Sequence, residues 1–364
     1  MDLREFLAPA ADVARRTGPQ DRIVLSSRVR LARNLKGFAF PGWAKKQDRI
    51  QVYEKVAAAV AEVPTLSGCF CESLDKLSAL DKQLLVERHL ISREHAARSG
   101  GSGVVLNRQE TLCLMINEED HLRMQSLRPG LQLRQAWAEI DALDTELEAH
   151  LPYAFSPELG YLTACPTNVG TGIRVSAMLH LPGLVLSEQI NAIVQSVNKL
   201  GLAVRGLYGE GTEALGNVFQ VSNQMTLGES EQTLLEKLDK VLRQIIEFEE
   251  NARATLIEKN PKMVYNHIGR AYGILANAHI IASKEAMNML SLMRLGVDLG
   301  MFPGVDRSLT DELFLLIQPA HLQLLHQEKL QAEERDIIRA DLIRSRLRSV
   351  SRPGPPLPAG GSTE

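Results

Sequence analysis

The apolar positions of this chain change period along its length, and the change divides it. Residues 23–25 form a short apolar strand that runs directly into the polar, arginine-rich SSRVRLARN. Residues 48–63 carry Ile50, Tyr53, Val56, Ala57 and Val60 at helical spacing, and residues 80–90 predict a second helix. Short β-like runs interrupted by glycine follow at 103–106, 111–116, 202–207 and 216–221, with helices expected at 132–147 and 187–200. Strands interleaved with helices predict an α+β or α/β domain over residues 1–255. From Glu231 the period changes. Leu234, Leu235, Leu238, Val241, Leu242, Ile245 and Ile246 recur three and four apart, the stripe of a long amphipathic helix that Pro261 ends. Beyond it the chain reads as helical. Ser283 and Thr310 stand at N-cap positions ahead of acidic residues, and a last helix, 333–348, is rich in arginine. The expected organisation is a mixed domain (1–255), a smaller all-α domain (256–350) and a disordered tail (351–364) with the composition SRPGPPLPAGGSTE.

Composition narrows the class. With 364 residues, a net charge of -3 and a pI near 6.3, the chain as a whole is no electrostatic binder of nucleic acid. Four irregularly spaced cysteines (Cys69, Cys71, Cys113 and Cys165) suit a reducing compartment, and a lone C-x-C makes no zinc site by itself. The first residues are charged rather than apolar, and no apolar run reaches membrane-spanning length, so a cytoplasmic protein is expected.

The common nucleotide motifs are missing. There is no GxxxxGK[ST] and no HExxH. Residues 209–214, GEGTEA, fit a relaxed GxGxxG/A, but the following ALGNVFQV predicts a strand where that motif needs a helix. Arginines in polar or glycine-containing segments stand out instead: Arg28 and Arg30 in SSRVR, Arg123 ending NEEDHLR, Arg174 after CPTNVGTGI, and Arg205 before GLYGEGTE. A spacing of two on an extended segment puts Arg28 and Arg30 on one face. The guanidinium offers a planar fork of donors to phosphate oxygens and stays charged, so several of them can hold a polyphosphate without a lysine loop. Glu119 in NEEDHLR and Glu210 in the glycine-flanked loop could grip a substrate guanidinium, and one of them could take its proton. Cys165 reads two ways. It is either a thiol activated beside arginines or a small buried hydrophobe.

Four runs together resemble the phosphagen (guanidino) kinases: SSRVRLARNLKG, INEEDHLRMQSL, LTACPTNVGTGIRVS and VRGLYGEGTEALGNVFQVSNQMTLGESE, in the family's order across most of residues 23–245. The resemblance implies an antiparallel sheet flanked by helices, which narrows the class to α+β. It also implies an ATP site along Ser26, Ser27, Arg28, Val29 and Arg30, His89, Arg123, the run Arg174, Val175, Ser176, Ala177 and Met178, and the run Arg205, Gly206, Leu207, Tyr208, Gly209 and Glu210. Glu119 and Glu210 would hold the guanidinium, with Glu119 the base, and Cys165 would be the family's reactive cysteine. Mg²⁺ would be carried mainly by the phosphates and water, with no protein metal site.

Two departures point within that family. Metabolic members have a helical domain ahead of SSRVR, where this chain has about two dozen residues, too few for such a domain. This chain also adds a helical C-terminal region. Both features resemble the bacterial protein arginine kinases, and an open guanidinium site suits a protruding side chain better than a free amino acid. In RDIIRA, Arg335 and Arg339 share a helical face, Asp336 can brace one of them, and Ala340 closes the motif. From the residues alone this is a solvated basic face, a nucleic-acid contact or a phosphate clamp. The resemblance implies an allosteric phosphoarginine pocket. It further implies protein substrates marked for a Clp unfoldase/protease in stress response and quality control, a zinc-finger activator, a stress-gene repressor and a homodimer. The rival readings are a metabolic guanidino kinase acting on free arginine and a non-catalytic phosphoarginine-binding adaptor.

Overall fold

The structure is a computed structural model that describes residues 3–206, 214–326 and 330–356. Its centre is an eight-stranded antiparallel sheet. In chain order the strands are β1 (Val24–Arg33), β2 (Phe70–Ser73), β3 (Gly103–Leu106), β4 (Leu112–Ile116), β5 (Leu122–Pro129), β8 (Ile173–His180), β9 (Leu202–Gly206) and β10 (Val218–Asn223). A two-stranded hairpin, β6 (Phe155–Ser156) and β7 (Gly160–Tyr161), lies outside it. The spatial order is β2-β3-β4-β5-β1-β8-β10-β9, so β1, first in sequence, lies in the middle. The antiparallel sheet flanked by helices is the arrangement expected from the sequence. β5 and β8, which the sequence reading passed over as polar segments, are its two neighbours to β1.

One face of the sheet is mainly apolar, its few polar side chains tied to the covering helix, as Arg33 is to Asp144 and Ser126 to Glu139. Val29, Leu31, Met124, Ile173, Val175, Leu179, Phe219 and Val221 pack against the helices Leu133–Glu148 and Glu231–Lys259 in a core that runs from Ile23 to Ala252. The other face is divided. Over β2 to β4 it is covered by Leu3, Phe6, Leu74, Leu85 and Leu90, and over β5, β1, β8 and β9 it carries polar side chains. Period-two alternation permits this, because each strand can present core to one side and chemistry to the other.

A second core, from Leu256 to Leu347, belongs to the helices Pro261–Asn277, Ser283–Asp298, Ser308–Leu316, Pro319–His326 and Ala332–Leu347. Buried charges join it to the sheet domain. Arg253 meets Glu249 at 2.6 Å and Asp298 at 3.1 Å, and Arg294 donates to the carbonyls of Arg22 at 2.9 Å and Asp21 at 3.0 Å. The Glu87 carboxylate accepts the amides of Ala320 and His321, capping the helix that starts at Pro319.

Some local expectations are corrected. Pro261 ends the long helix but also opens the next, in the first turn, where a missing N–H costs nothing. Ser283 and Thr310 are not caps. Ser283 is already inside its helix, and the Thr310 hydroxyl donates to the Arg307 carbonyl, while Asp306 receives the Ser308 amide. The start of the supposed disordered tail is tied down: Tyr265 donates to the Pro353 carbonyl and the Gly354 amide donates to Met301. Among the described residues no helix is long and apolar enough to cross a membrane.

Candidate active site

The register of the sheet assembles the arginines. Arg30 lies opposite Arg174 and Arg28 opposite Ser176 across β1 and β8. Arg123 on β5 lies opposite Ala32, two residues along from Arg30. Arg205 on β9 pairs with Gln220, which pairs with Met178, which pairs with Ser26. Residues directly paired across strands project to the same side, so all five arginines occupy the polar face of one sheet. Of the five, only Arg123 has a carboxylate at ion-pair distance among the described residues, Glu118 at 2.6 Å. Arg28 Nη2 donates to the Gln220 side chain at 2.8 Å, and the buried Nε of Arg30 has no acceptor among the described residues.

This is a cationic site short of negative charge. Burial and the neighbouring Arg123 and Arg174 lower Arg28 from its ordinary 12.5 to about 10. Burial and the other guanidiniums, Arg28 first, drive Arg30 well down, against only Glu118. Arg174 is lowered by burial and by Arg205 and Arg123. A polyanion would relieve all three effects and satisfy the orphaned Arg30 donor, so the residues present fit an ATP polyphosphate.

At the Arg30 end a cavity of about 90 Å³ is lined by Arg30, Glu119, Arg123, Cys165, Asn168 and Arg174, among others. The turn that presents Glu119 is built by its neighbours. Asn117 takes a left-handed φ of 57° while its side chain donates to the carbonyls of Arg49 and Gly101. Burial would raise Glu118, but Arg123, Ser92 and the Glu119 amide hold it down to about 2. Asp120 accepts from Asn34 and from the Ala164 amide, which fixes the segment before Cys165 against this turn. The His121 ring accepts the Leu35 amide at Nδ1 and donates from Nε2 to Ala39, the pattern of a neutral imidazole, and burial lowers it to about 4. Only Glu119 of this run is exposed. The Cys165 Sγ lies 3.0 Å from the Thr167 hydroxyl, half-buried. Gly172, at the cavity floor, has a φ of 68°, and a Cβ there would lie 2.6 Å from the Ala32 carbonyl.

Toward the other end of β1, about 13 Å away over four residues at strand rise, Ser26 and Met178 line a larger cavity of about 540 Å³. His89 and Arg128 of the sheet domain also face it, as do Met287, Phe314 and Gln318 of the helical domain. His89 sits at a left-handed φ of 59°, and burial, with Arg28 and Arg93, lowers its imidazole to about 4. A small polar pocket and a roomy, mainly apolar one, joined by a track of arginines, match a guanidinium, a polyphosphate and a nucleoside in that order.

The sequence-derived site is thus largely brought together. Ser26, Arg28, Arg30, Arg123, Arg174, Ser176, Met178 and Arg205 share the sheet face, and Glu119 and Cys165 share the small cavity with Arg30. Ser27, Val29, Val175 and Ala177 are buried and alternate with the residues of the polar face, so they contribute backbone rather than side chains. Leu207, Tyr208, Gly209 and Glu210 lie outside the described residues, while Gly206 ends β9. Glu118, Asn34 and Asp120 were missed. An acidic run gives no sign of which carboxylate turns inward. Among the described residues no group of three or more His, Cys, Asp and Glu side chains gathers in metal-binding range.

In the helical domain, Arg335, Asp336, Arg339 and Ala340 lie on the helix Ala332–Leu347. Arg339 is buried and donates to the Ile317 and Ile281 carbonyls, with Asp336 bracing it at 2.5 Å. Burial lowers it, against Asp336. Arg335 is half-buried and donates to the Leu330 carbonyl at 2.7 Å. Ala340 is buried in the core.

Comparison with known proteins agrees with this geometry. Residues 51–252 match the ATP:guanido phosphotransferase C-terminal catalytic domain, and residues 261–356 match the C-terminal domain of the protein-arginine kinase McsB. The chain is 48% identical over 330 residues to the protein-arginine kinase of Halothermothrix orenii, spanning 91% of this chain and 94% of that one. It is 47% identical over 350 residues to the protein-arginine kinase of Halalkalibacterium halodurans, spanning 96% and 98%. A lombricine kinase crystal structure superposes with a TM-score of 0.57 at 26% identity, covering 68% of this chain and 72% of that one. The chain is therefore an enzyme of the protein-arginine kinase family, built on the phosphagen-kinase fold.

Proposed function

We propose that this enzyme transfers the γ-phosphoryl group of ATP to arginine side chains of proteins. The observation that carries the reading is the row of guanidiniums on one sheet face, with the Arg30 Nε unpaired among the described residues, ending at a cavity that holds Glu119 and Cys165. Arg28, Arg30, Arg123, Arg174 and Arg205 hold the phosphate oxygens and stabilise the charge that spreads over the transferring group. Ser26, Met178 and His89 face the nucleoside. Glu119 and Glu210 orient the substrate guanidinium, whose nitrogen attacks phosphorus in line. The N–P bond forms as the bond to the bridging oxygen breaks, and Glu119 accepts the departing proton. The unperturbed guanidinium is almost wholly protonated, so orientation supplies much of the rate. Mg²⁺ bound to the phosphates and water would neutralise charge on the donor.

The same reading places Arg335 and Asp336 at a phosphoarginine-sensing face. Arg339 contributes there more as a buried tie than as a free clamp. The cellular setting implied by the family is cytoplasmic: proteins marked for a Clp-type protease, a zinc-finger activator, a stress-gene repressor and a homodimer. The test offers labelled Mg-ATP with casein and with free arginine in parallel and reads acid-labile label. Label on protein arginine alone supports the reading. Label on free arginine alone replaces it with a metabolic guanidino kinase, and label on neither refutes it for the isolated enzyme.

A further inference from the structure

The loop that lines the small charged cavity is held between two segments that expose apolar side chains. Four of the eleven large hydrophobic side chains exposed among the described residues stand on two segments that grip the loop from Cys165 to Gly172: Phe155 at 57%, Leu159 at 46%, Met225 at 64% and Leu227 at 51%. On one bank is the hairpin β6–β7. The Tyr161 amide donates to the Gly170 carbonyl at 2.8 Å, Phe155 stacks edge-on against Tyr161 with ring centroids 5.3 Å apart, and Leu159 sits at the hairpin turn. On the other bank, the Thr226 hydroxyl donates to the Val169 carbonyl at 2.7 Å. There the backbone of Leu227 lies so close to Gly170 that a Cβ on the glycine would come within 3.1 Å of it. Both banks are therefore rigidly indexed to the loop that carries Cys165, Thr167 and Asn168 into the cavity. Nothing in the fold explains the exposure, since neither bank buries these side chains in either core.

We propose that this rim is a specificity element that binds the polypeptide on either side of the target arginine and selects apolar neighbours. The inference rests on the protein-arginine reading above. A guanidinium reaching Glu119 must leave its own main chain at the cavity mouth, so the flanking residues lie against the rim. Apolar residues next to arginine are hidden in folded proteins and accessible in unfolded ones. The rim thereby biases phosphorylation toward unfolded or locally opened chains, with no recognition of a particular protein.

The experiment measures initial rates with two peptides that share a central arginine, one flanked by Leu and Phe and the other by Gly and Ser. The wild-type enzyme should show a KM about ten-fold lower for the apolar peptide, the effect expected from covering one or two side chains. In Leu227→Ser combined with Phe155→Ser, both at exposed positions, the ratio of the two KM values should collapse toward one, while Phe248→Ser, an exposed apolar site elsewhere, keeps it. Equal KM values in the wild type, or a preference untouched by the rim substitutions, overturn the proposal. It is also overturned if the rim substitutions change the oligomeric state in gel filtration and leave the peptide preference as it was, because the face would then be a contact between copies. Absence of label on any peptide instead removes the protein-arginine reading on which the proposal stands.

Discussion

Replacing Glu118 by Gln removes one charge and almost no volume from the turn beneath Glu119. The carboxylate is 3% exposed and holds Arg123 at 2.6 Å, the Ser92 hydroxyl at 2.7 Å and the Glu119 amide at 3.0 Å. Burial acts to raise it, yet these partners hold it from 4.5 down to about 2, a descent worth roughly 3 kcal/mol at 1.36 kcal/mol per pH unit. Stranding a buried arginine by removing its partner costs about 3–5 kcal/mol, the same order. The sign follows from protonation. With a folded value below the unfolded one, the stabilisation is complete above about 4.5 and disappears as pH falls through about 2. Urea titrations of both proteins at pH 8, 7, 6 and 5 should therefore show a constant loss of roughly 3 kcal/mol, narrowing only in more acid solution. The freed Arg123 should also lower kcat/KM for ATP by about 10- to 100-fold. A stability loss below about 1 kcal/mol, or one that grows as pH drops from 8 to 5, would refute the idea that Glu118 is the ionised brace of this turn.

Glu210→Ala should reduce turnover far more than ATP affinity, measured by initial rates and nucleotide titration, and equal losses would remove it from the guanidinium. Arg339→Ala should unfold the helical domain at lower temperature, by roughly 3 kcal/mol or more for a buried, paired cation. Arg335→Ala should leave melting nearly unchanged and weaken phosphoarginine binding, read by calorimetry; the reverse pattern would show that the sensing role lies elsewhere. Burial holds His121 near 4 against an ordinary 6.5, despite the Ala39 carbonyl, so in acid the unfolded state takes up a proton that the folded state refuses. Stability should fall between pH 6.5 and 4, by up to about 3 kcal/mol for this residue, and urea midpoints equal at pH 7 and 4.5 would contradict it.

Much was legible before any coordinates. Apolar spacing marked β3, β4, β9 and the long helix to within a few residues, because those elements bury one face against a core, whereas at β1 it marked only the opening of a strand that runs on to Arg33. β5 and β8 were passed over although LRMQSL and IRVSAML alternate, since their polar positions are arginine, glutamine and serine, which read as loop until a ligand face is known. Ser283 and Thr310 show the limit of capping signals. The residue type suits a cap, but the helix start is decided one to three residues earlier by packing and by Asp306.

The chemistry itself, a set of arginines with glutamates and a cysteine in fixed chain order, is a property of the sequence. So is the alternation that sends Arg28 and Arg30 to one side of a strand. That Arg123, Arg174 and Arg205, distant in sequence, join them on that side was decided by strand order and register, since a slip of one residue in any pairing would turn an arginine into the core. Tertiary structure also decided which acidic residue of NEED stays free, because only the buried environment separates Glu118, spent on Arg123, and Asp120, spent on the Cys165 segment, from exposed Glu119. The sequence supplies the side chains, and the desolvation that turns them into a site arises only when the sheet closes around them.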